Sequence, residues 1–589
     1  METTYQKLYF PLNVYAVLMH SLVGKVPFLS YGCLADRSVQ DSPASMLLAG
    51  QYAAAERLTA ALALPPPARV LDVGCGFGTL AGQLAEAGYR VTALDNNAAA
   101  VQLARENLAD LPDGTVRFVQ QSFELFWQQA PAASYDVIVL QNSARYFLPL
   151  VMFAAARHLL APGGQLLLLD EFATNNYSGT APQSLPVMEH VLALAGRTGF
   201  SLVGDEDLSA DTGRFMRVFL TQFESGIDRL PAQSGEPEQI INSLHAGLRR
   251  DTAGCLDGTC CHHLLSWRLT LQDRQSDVVE LLPATCVPVD NYRPIFELSF
   301  KTDFDVDLWH WKYATGRGAS VVAVREQSVV AHYGGVARDI RYFGQACSAV
   351  QICDVMVLPG QRGFFSRSGL FFKTAASMLE QYAGYGAPYL LGFGFPNLKA
   401  MHVAERLGLY EKSDELLAIS NPVAEAVTGW QVSEFSAADG IAAYADILWQ
   451  QMEADFTDAI IGLRDAAYLH YRFVQRPGMH YRCVVAHLNG KAVALGVLRE
   501  HGEQYLLMDI VGAADVLSAA FSQICVFGRS VGRPIVMWVT GGQVQRLKHP
   551  DSLIESTGIQ IPCNRWSRGP ETGLLKGAWW LTAGDMDFM

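Results

Sequence analysis

VLDVGCGFG at residues 70–78 is the stretch from which the first half of the chain can be read. Val70 to Val73 is a short apolar run of the kind that makes a buried strand. Gly74, Gly76 and Gly78 follow at every second position, where a missing side chain lets the backbone turn sharply and a ligand come close. A helix pattern, LAGQLAEAG, begins after Thr79, and a second apolar run, YRVTALD, ends in Asp95. Strand, glycine loop, helix, strand and terminal acid form half of a nucleotide-binding α/β unit. The acid lies about 20 residues past the loop, where such folds set a carboxylate on the ribose hydroxyls.

Working outward, VRFVQQSF (116–123) and YDVIVLQNS (135–143) read as further strands and QLLLLDEF (165–172) as a buried one. LPLVMFAAARHLL (148–160) reads as an amphipathic helix closed by Pro162-Gly163-Gly164. Short apolar strands alternating with helices mean a parallel sheet covered on both faces. GFSLVGDEDLS (199–209) and HLLSWRLTL (263–271) can supply its last two strands. Residues 1–60 read as a helical cap and residues 61–275 as the domain it covers.

This ordered set resembles the class I S-adenosylmethionine-dependent methyltransferases. A dinucleotide-binding enzyme, the alternative, more often shows G-x-G-x-x-G; here the loop is D-x-G-x-G-x-G, opening on Asp72. The resemblance implies a Rossmann-like sheet and S-adenosyl-L-methionine bound by Asp72, Gly74, Cys75, Gly76, Gly78, Asp95, Asn96, Ser122, Phe123 and Gln141. Within that set Asp95 takes the ribose, and Ser122 and Phe123 fall where the family holds adenine. Gln141 and Ser143 sit near the expected point of methyl transfer and are the candidate catalytic residues there. No clear base is visible; Asp170 and Glu171 end a strand and could face the site.

At 589 residues the chain is too long for a single core. It is 50% hydrophobic and 17% charged, which is a globular composition. A net charge of −14 argues against a nucleic-acid surface; a small-molecule or carrier-bound substrate is the expected partner because a methyltransferase-like half is joined in one chain to a second α/β half. Eleven cysteines without paired spacing read as a reducing, cytoplasmic chain. The N-terminal apolar stretch is broken by Pro11, Asn13 and His20, so no membrane span is expected there.

Composition changes over 272–290, and residues 276–287 read as a linker. Beyond it lies an internal repeat. LWHWKYATGRG (308–318) is echoed by LHYRFVQRPG (469–478), and each precedes a strand pair about a polar turn. Residues 288–430 and 431–589 therefore read as two copies of one α/β unit, with His310 and His470 in equivalent packing positions. The first copy carries VMVLPGQRGFFSRSGLFFKTA (355–375), a strand, a basic glycine-containing loop and a helix start. Such a terminus offers orphan N–H donors to a pyrophosphate.

This half resembles the GNAT superfamily of acyl-CoA N-acyltransferases in tandem-repeat form. The expected fold class is thus α/β, a Rossmann-like methyltransferase sheet followed by two GNAT-like repeats. The resemblance implies acetyl-CoA or another acyl-CoA held at Val355, Val357, Arg362, Gly363, Arg367, Ser368, Gly369 and Asn397, with Ser368 as a cap. The second copy lacks the loop, so one coenzyme site is expected. Ala404 stands where the family often has a tyrosine to protonate the leaving thiolate. By analogy with tandem-repeat N-myristoyltransferases, Asp585, Asp587 or the Met589 carboxylate could be the base. A Fem-type aminoacyl transferase and a silent binding module remain open alternatives. Among Cys255, Cys260, Cys261, His262 and His263, adjacent Cys-Cys and His-His point to opposite sides of an extended chain and cannot all ligate one ion, so no metal is expected.

Overall fold

The computed structural model describes residues 2–35, 42–177, 185–270, 279–314, 316–361 and 366–588. They fall into two compact units, one up to Leu281 and one from Leu282 onward.

In the first unit, β1 (Arg69–Val73), β2 (Arg90–Asp95), β3 (Val116–Gln120), β4 (Tyr135–Gln141), β5 (Leu160–Ala173), β6 (Phe200–Asp207) and β7 (Cys260–Leu269) form one sheet in the order β3-β2-β1-β4-β5-β7-β6. β1 to β5 run parallel, and β7 is antiparallel to both β5 and β6. Val70, Leu71, Val137, Ile138, Val139 and Leu140 have no exposed surface, as expected of strands covered on both faces. The strand order reverses between β1 and β4, which opens a crevice at their carboxyl ends. Helices Leu12–Val23 and Ser209–Gly226 roof it: Val17, Met19, Phe215 and Phe219 pack in one cluster with Phe77 and Ala100.

The second unit contains the duplication. In the first copy, helix Val306–Tyr313 is followed by strands Gly318–Arg325, Ser328–Tyr342 and Gln345–Val357, helix Leu370–Tyr382 and strand Leu391–Gly394. In the second, helix Ala466–Phe473 leads to strands Arg482–Leu488, Lys491–His501 and Gln504–Gly512, helix Leu517–Ser530 and strand Ile535–Thr540. Each copy has three antiparallel strands and then a parallel one. Both first hairpins turn on two left-handed residues, Glu326-Gln327 and Asn489-Gly490, the conformation that matches strand twist. Strand Tyr410–Ser420 follows the first copy in sequence, yet lies between Ile535–Thr540 and Leu553–Asn564 in the second copy's sheet.

Two expectations change. Residues 282–287 are part of the second unit and not a linker, because Leu282, Ala284 and Val287 pack against its core around Tyr292, Trp309 and Val322; residues 271–278 lie outside the described set. His310 and His470 are exposed, so they do not pack the repeats. Their neighbours do: the Trp311 and Tyr471 rings stack at 4.7 Å. Trp311 Nε1 donates to the Tyr471 carbonyl at 3.1 Å, and the Tyr471 hydroxyl donates to the Trp311 carbonyl at 3.0 Å. Among the described residues, no helix is long and apolar enough to cross a membrane.

Candidate functional site

The glycine loop leaves β1 with Gly74, Gly76 and Gly78 at φ of 74°, 53° and 77°. A Cβ on Gly74 would sit 2.6 Å from the Ser143 Cβ, so β1 and β4 approach only because that side chain is missing. A Cβ on Gly76 would meet nothing within 4 Å, so that face of the loop is open. Asp95 holds the loop in place: its Oδ2 accepts from Gly76 N at 3.0 Å and its Oδ1 from Asn97 N at 2.9 Å. Asn97 in turn caps helix Ala98–Asn107. Asp72 is 2% exposed, and its Oδ2 has no hydrogen-bond partner among the described residues. Burial, with the Asp95 charge adding to it, pushes the Asp72 carboxyl up to about 7. Burial likewise keeps the Cys75 thiol protonated, which removes it as a nucleophile.

A cleft of about 400 Å³ gathers Asp72, Gly74, Cys75, Gly76, Asp95, Asn96, Phe123, Gln141 and Ser143. Gly78 and Ser122 do not line it. Gly78 starts helix Thr79–Glu86, and Ser122 caps helix Phe123–Gln129 by accepting from Leu125 N. The two candidate catalytic groups are engaged elsewhere. Ser143 Oγ donates to the Val73 carbonyl at 2.6 Å, tying β4 to β1, and Gln141 Nε2 donates to Ser30 Oγ at 3.3 Å. Both residues line the cleft with these hydrogen bonds made.

The far wall was not legible in the sequence. Tyr9, Phe10, Tyr15, Met19, Tyr31, Phe215 and Phe219 line the cleft from segments far apart in the chain, with Arg145 among them. Arg145 pairs with Glu171 of β5, whose side chain is fully buried. Burial raises the Glu171 carboxyl to about 7 although the Arg145 charge opposes it.

Residues 70–164 match the family model described as "Methyltransferase domain". A ubiquinone biosynthesis O-methyltransferase from Pectobacterium atrosepticum is 36% identical over 186 residues, which is 31% of this chain and 68% of that one. The chain belongs, through its N-terminal unit, to the class I S-adenosylmethionine-dependent methyltransferases. An S-adenosyl-L-methionine-dependent Diels-Alderase, iccD of Talaromyces variabilis, is 34% identical over 118 residues, 20% of this chain and 40% of that one. The chain spans about half or less of the length of most of the curated relatives it matches. The crystal structure of the [4+2]-cyclase SpnF aligns over 44% of this chain and 93% of its own, at 19% identity and a TM-score of 0.37, a likeness too weak to carry function.

The methyltransferase cleft fits the family's cofactor on its own geometry. The unpartnered Asp72 Oδ2 suits an ammonium, and the open face at Gly76 leaves room for a ligand against the backbone. A pH dependence results. S-adenosylhomocysteine carries an ammonium that favours ionised Asp72, so its affinity, followed by calorimetry, should rise as pH passes upward through about 7. Asp72→Asn should flatten that rise; an unchanged slope in the variant would remove Asp72 from the site. Without ligand the sign reverses. A carboxyl whose folded pKa lies above its unfolded value stabilises the fold at low pH, and that contribution is lost as pH climbs through about 7.

In the second unit, strand Gln345–Val357 bulges opposite His332–Gly334, with Asp354 at a left-handed φ of 47°. Lys312 Nζ donates to both Asp354 oxygens at 3.0 Å and to Asp587 Oδ2 at 2.7 Å, and the Tyr313 hydroxyl donates to Asp354 Oδ2 at 2.7 Å. Ligand-type atoms of Cys353, Asp354 and Asp587 lie within 4.8 Å of one another, but the ammonium already bridges the two carboxylates. Asp585 is no base. Arg338 and Arg464 hold its two oxygens at 2.6 and 2.7 Å, and it is 2% exposed. Asp587 keeps some exposure.

Of the expected coenzyme residues, Arg362 and Gly363 lie outside the described set, as does Met589. Ser368 is not the cap; helix Leu370–Tyr382 starts at Gly369 with no side-chain cap, and Ser368 Oγ lies 2.8 Å from Ser366 Oγ. Arg367 rests over the Trp566 ring at 5.3 Å. Asn397 caps helix Leu398–Arg406 by accepting from Ala400 N. Val355 is exposed, and Val357 pairs with Ala331 in the neighbouring strand. His262 and His263 turn to different partners, Thr212 with Asn142 and Asp205 respectively.

Proposed function

We propose that the N-terminal unit transfers a methyl group from S-adenosyl-L-methionine to a hydroxyl on an apolar, ring-bearing small molecule, free or carried on a scaffold. The observation that carries this is one cleft with Asp72 and Asp95 at one end and an aromatic wall at the other. Asp95 would hold the ribose diol, Asp72 Oδ2 the ammonium, and Phe123 the adenine. Bound there, the cofactor supplies an electrophilic methyl group. The rings of Tyr9, Phe10, Phe215 and Phe219 exclude water and orient the acceptor, which is most of what such a transfer needs. Relatives named for O-methyl transfer support a hydroxyl acceptor.

For the C-terminal unit the reading is acyl transfer from an acyl-CoA to an amine, on a tandem GNAT-like fold. Its support is the duplicated succession of helix, three antiparallel strands, helix and parallel strand, and the bulge at Asp354 beside the parallel pair. Calorimetry with S-adenosylhomocysteine and with coenzyme A tests both halves on the full chain. Binding of each supports two activities. No heat with coenzyme A removes the acyl-CoA reading and leaves an aminoacyl transferase or a silent module.

A second reading of the first unit is ring closure without methyl loss. The engagement of Ser143 Oγ with Val73 favours it, because a pericyclic step needs no base, and two relatives are named Diels-Alderases. Mass spectrometry separates the two: methyl transfer consumes the cofactor as product forms, whereas ring closure leaves it intact.

A further inference from the structure

Three buried polar atoms at the carboxyl ends of β4 and β5 have no partner among the described residues: Asn142 Oδ1, Arg145 Nε and Glu171 Oε1. The large majority of buried side-chain polar atoms are paired, so three unpaired ones gathered beside a cleft point to a place where a ligand completes the bonding. Asn142 and Arg145 both line the methyltransferase cleft.

Each is held from behind. Asn142 stands at the end of β4 with φ of 52°, a left-handed conformation that asparagine tolerates better than most residues, and its N–H donates to the Leu169 carbonyl at 2.8 Å. Its Nδ2 lies 3.1 Å from His262 Nε2, and His262 Nδ1 lies 3.0 Å from Thr212 Oγ1. His262 and Thr212 have no exposed surface. Burial, aided by the Arg145 charge, holds the imidazole neutral, with its pKa down at about 3. A neutral ring has one bare nitrogen. Asn142 Nδ2, which faces Nε2, can only donate, so Nε2 accepts, Nδ1 carries the ring proton toward Thr212, and the amide oxygen faces away from His262. Arg145 is fixed in the same way: one terminal nitrogen binds Glu171, and the main-chain N–H groups of Ala144 and Arg145 bind Asp170 Oδ2. Glu171 and His262 are cross-strand partners on β5 and β7, which brings the two supports together.

We propose that Asn142 Oδ1 and Arg145 Nε form the acceptor subsite, the first accepting a hydrogen bond from an aromatic hydroxyl and the second donating to the same oxygen. His262 and Glu171 are positioning residues. The proposal adds a donor requirement to the ring-binding cleft. It rests on the methyl-transfer reading only for the chemistry after binding.

The test is calorimetry on the full chain saturated with S-adenosylhomocysteine, using 2-naphthol and 2-methoxynaphthalene, which share a ring system and differ in the donor. The wild-type chain should prefer 2-naphthol by about tenfold or more, because a site built for a hydroxyl rejects the analogue lacking it. Asn142→Gly keeps the left-handed backbone and should bring the ratio close to one while S-adenosylhomocysteine affinity holds. His262→Leu should lose the preference, and His262→Gln, which can still orient the amide, should restore most of it. Equal binding of the two probes by the wild-type chain, binding of neither, or a preference that survives Asn142→Gly overturns the proposal. If the preference behaves as stated but no methylated naphthol appears on incubation with S-adenosyl-L-methionine, the subsite stands and the methyl-transfer reading is the part that fails.

Discussion

Asp585→Ala is expected to destabilise the C-terminal unit by about 3–5 kcal/mol, the size found when one partner of a buried ion pair is removed. Asp585 is shared by two arginines whose side chains are 7% and 0% exposed, Arg338 and Arg464. Arg464 would keep Asp509 at 3.1 Å, but Arg338 would lose its ion-pair partner while buried. Burial already draws the Arg338 pKa down to about 10. The Asp585 carboxylate also accepts from Thr582 N at 2.9 Å, closing the turn that follows Trp579 and Trp580. Trp579 and Trp580 are two of the chain's ten tryptophans, most of which lie in this unit, so denaturant unfolding followed by tryptophan fluorescence reports the loss. Asp587→Ala should cost less than Asp585→Ala, since Lys312 keeps Asp354 when Asp587 is removed. Equal losses at the two positions would mean that the arginine cage is not what Asp585 provides. Acid tests the same cage. Burial alone would raise the Asp585 carboxyl, yet Arg464 and Arg338 bring it below the usual carboxylate range. Its contribution is therefore present above the unfolded pKa of about 4 and is lost as pH falls below that range.

That role for Asp585 could not be read from the chain, because its partners lie 247 and 121 residues away in sequence. Local signals fared better. The glycine loop, the buried runs of β1, β4 and β5 and the two-residue turns of both repeats are legible because each is decided within a few residues. The aromatic wall is different. Tyr9, Tyr31 and Phe215 follow no common period and meet only once the roof helices close over the sheet. Asn142 and His262 were in plain view without a signal, since a side chain's usefulness there depends on which neighbour uses up its other atoms. The same reasoning explains Ser143, well placed on the sequence but already spent on Val73. Strand Tyr410–Ser420 shows the limit for topology: its sequence says strand, but nothing local says that it pairs in the second copy's sheet.

Asp95→Ala should weaken S-adenosylhomocysteine binding by about a hundredfold. Hydrogen bonds to a charged group contribute about 1.5–3 kcal/mol each, and a carboxylate on a ribose diol makes two. A hundredfold is about 2.7 kcal/mol, just under the low end of that sum. Part of the loss comes from the protein itself. Asp95 braces Gly76 N and Asn97 N, so alanine frees the loop as well as removing the ribose contact. Asp95→Asn separates the two contributions. Its single carbonyl oxygen can keep one brace and one ribose bond, so it should fall between the wild-type chain and alanine. Asp95→Ala should leave Asp72 with less charge beside it, and burial is then the main cause holding that carboxyl up. The pH at which affinity rises should accordingly move down in the Asp95→Ala protein, measured by the same calorimetry across pH. An alanine variant that binds as tightly as the wild-type chain would place the ribose elsewhere; a weaker variant with an unmoved pH midpoint would keep the ribose contact and uncouple the two acids.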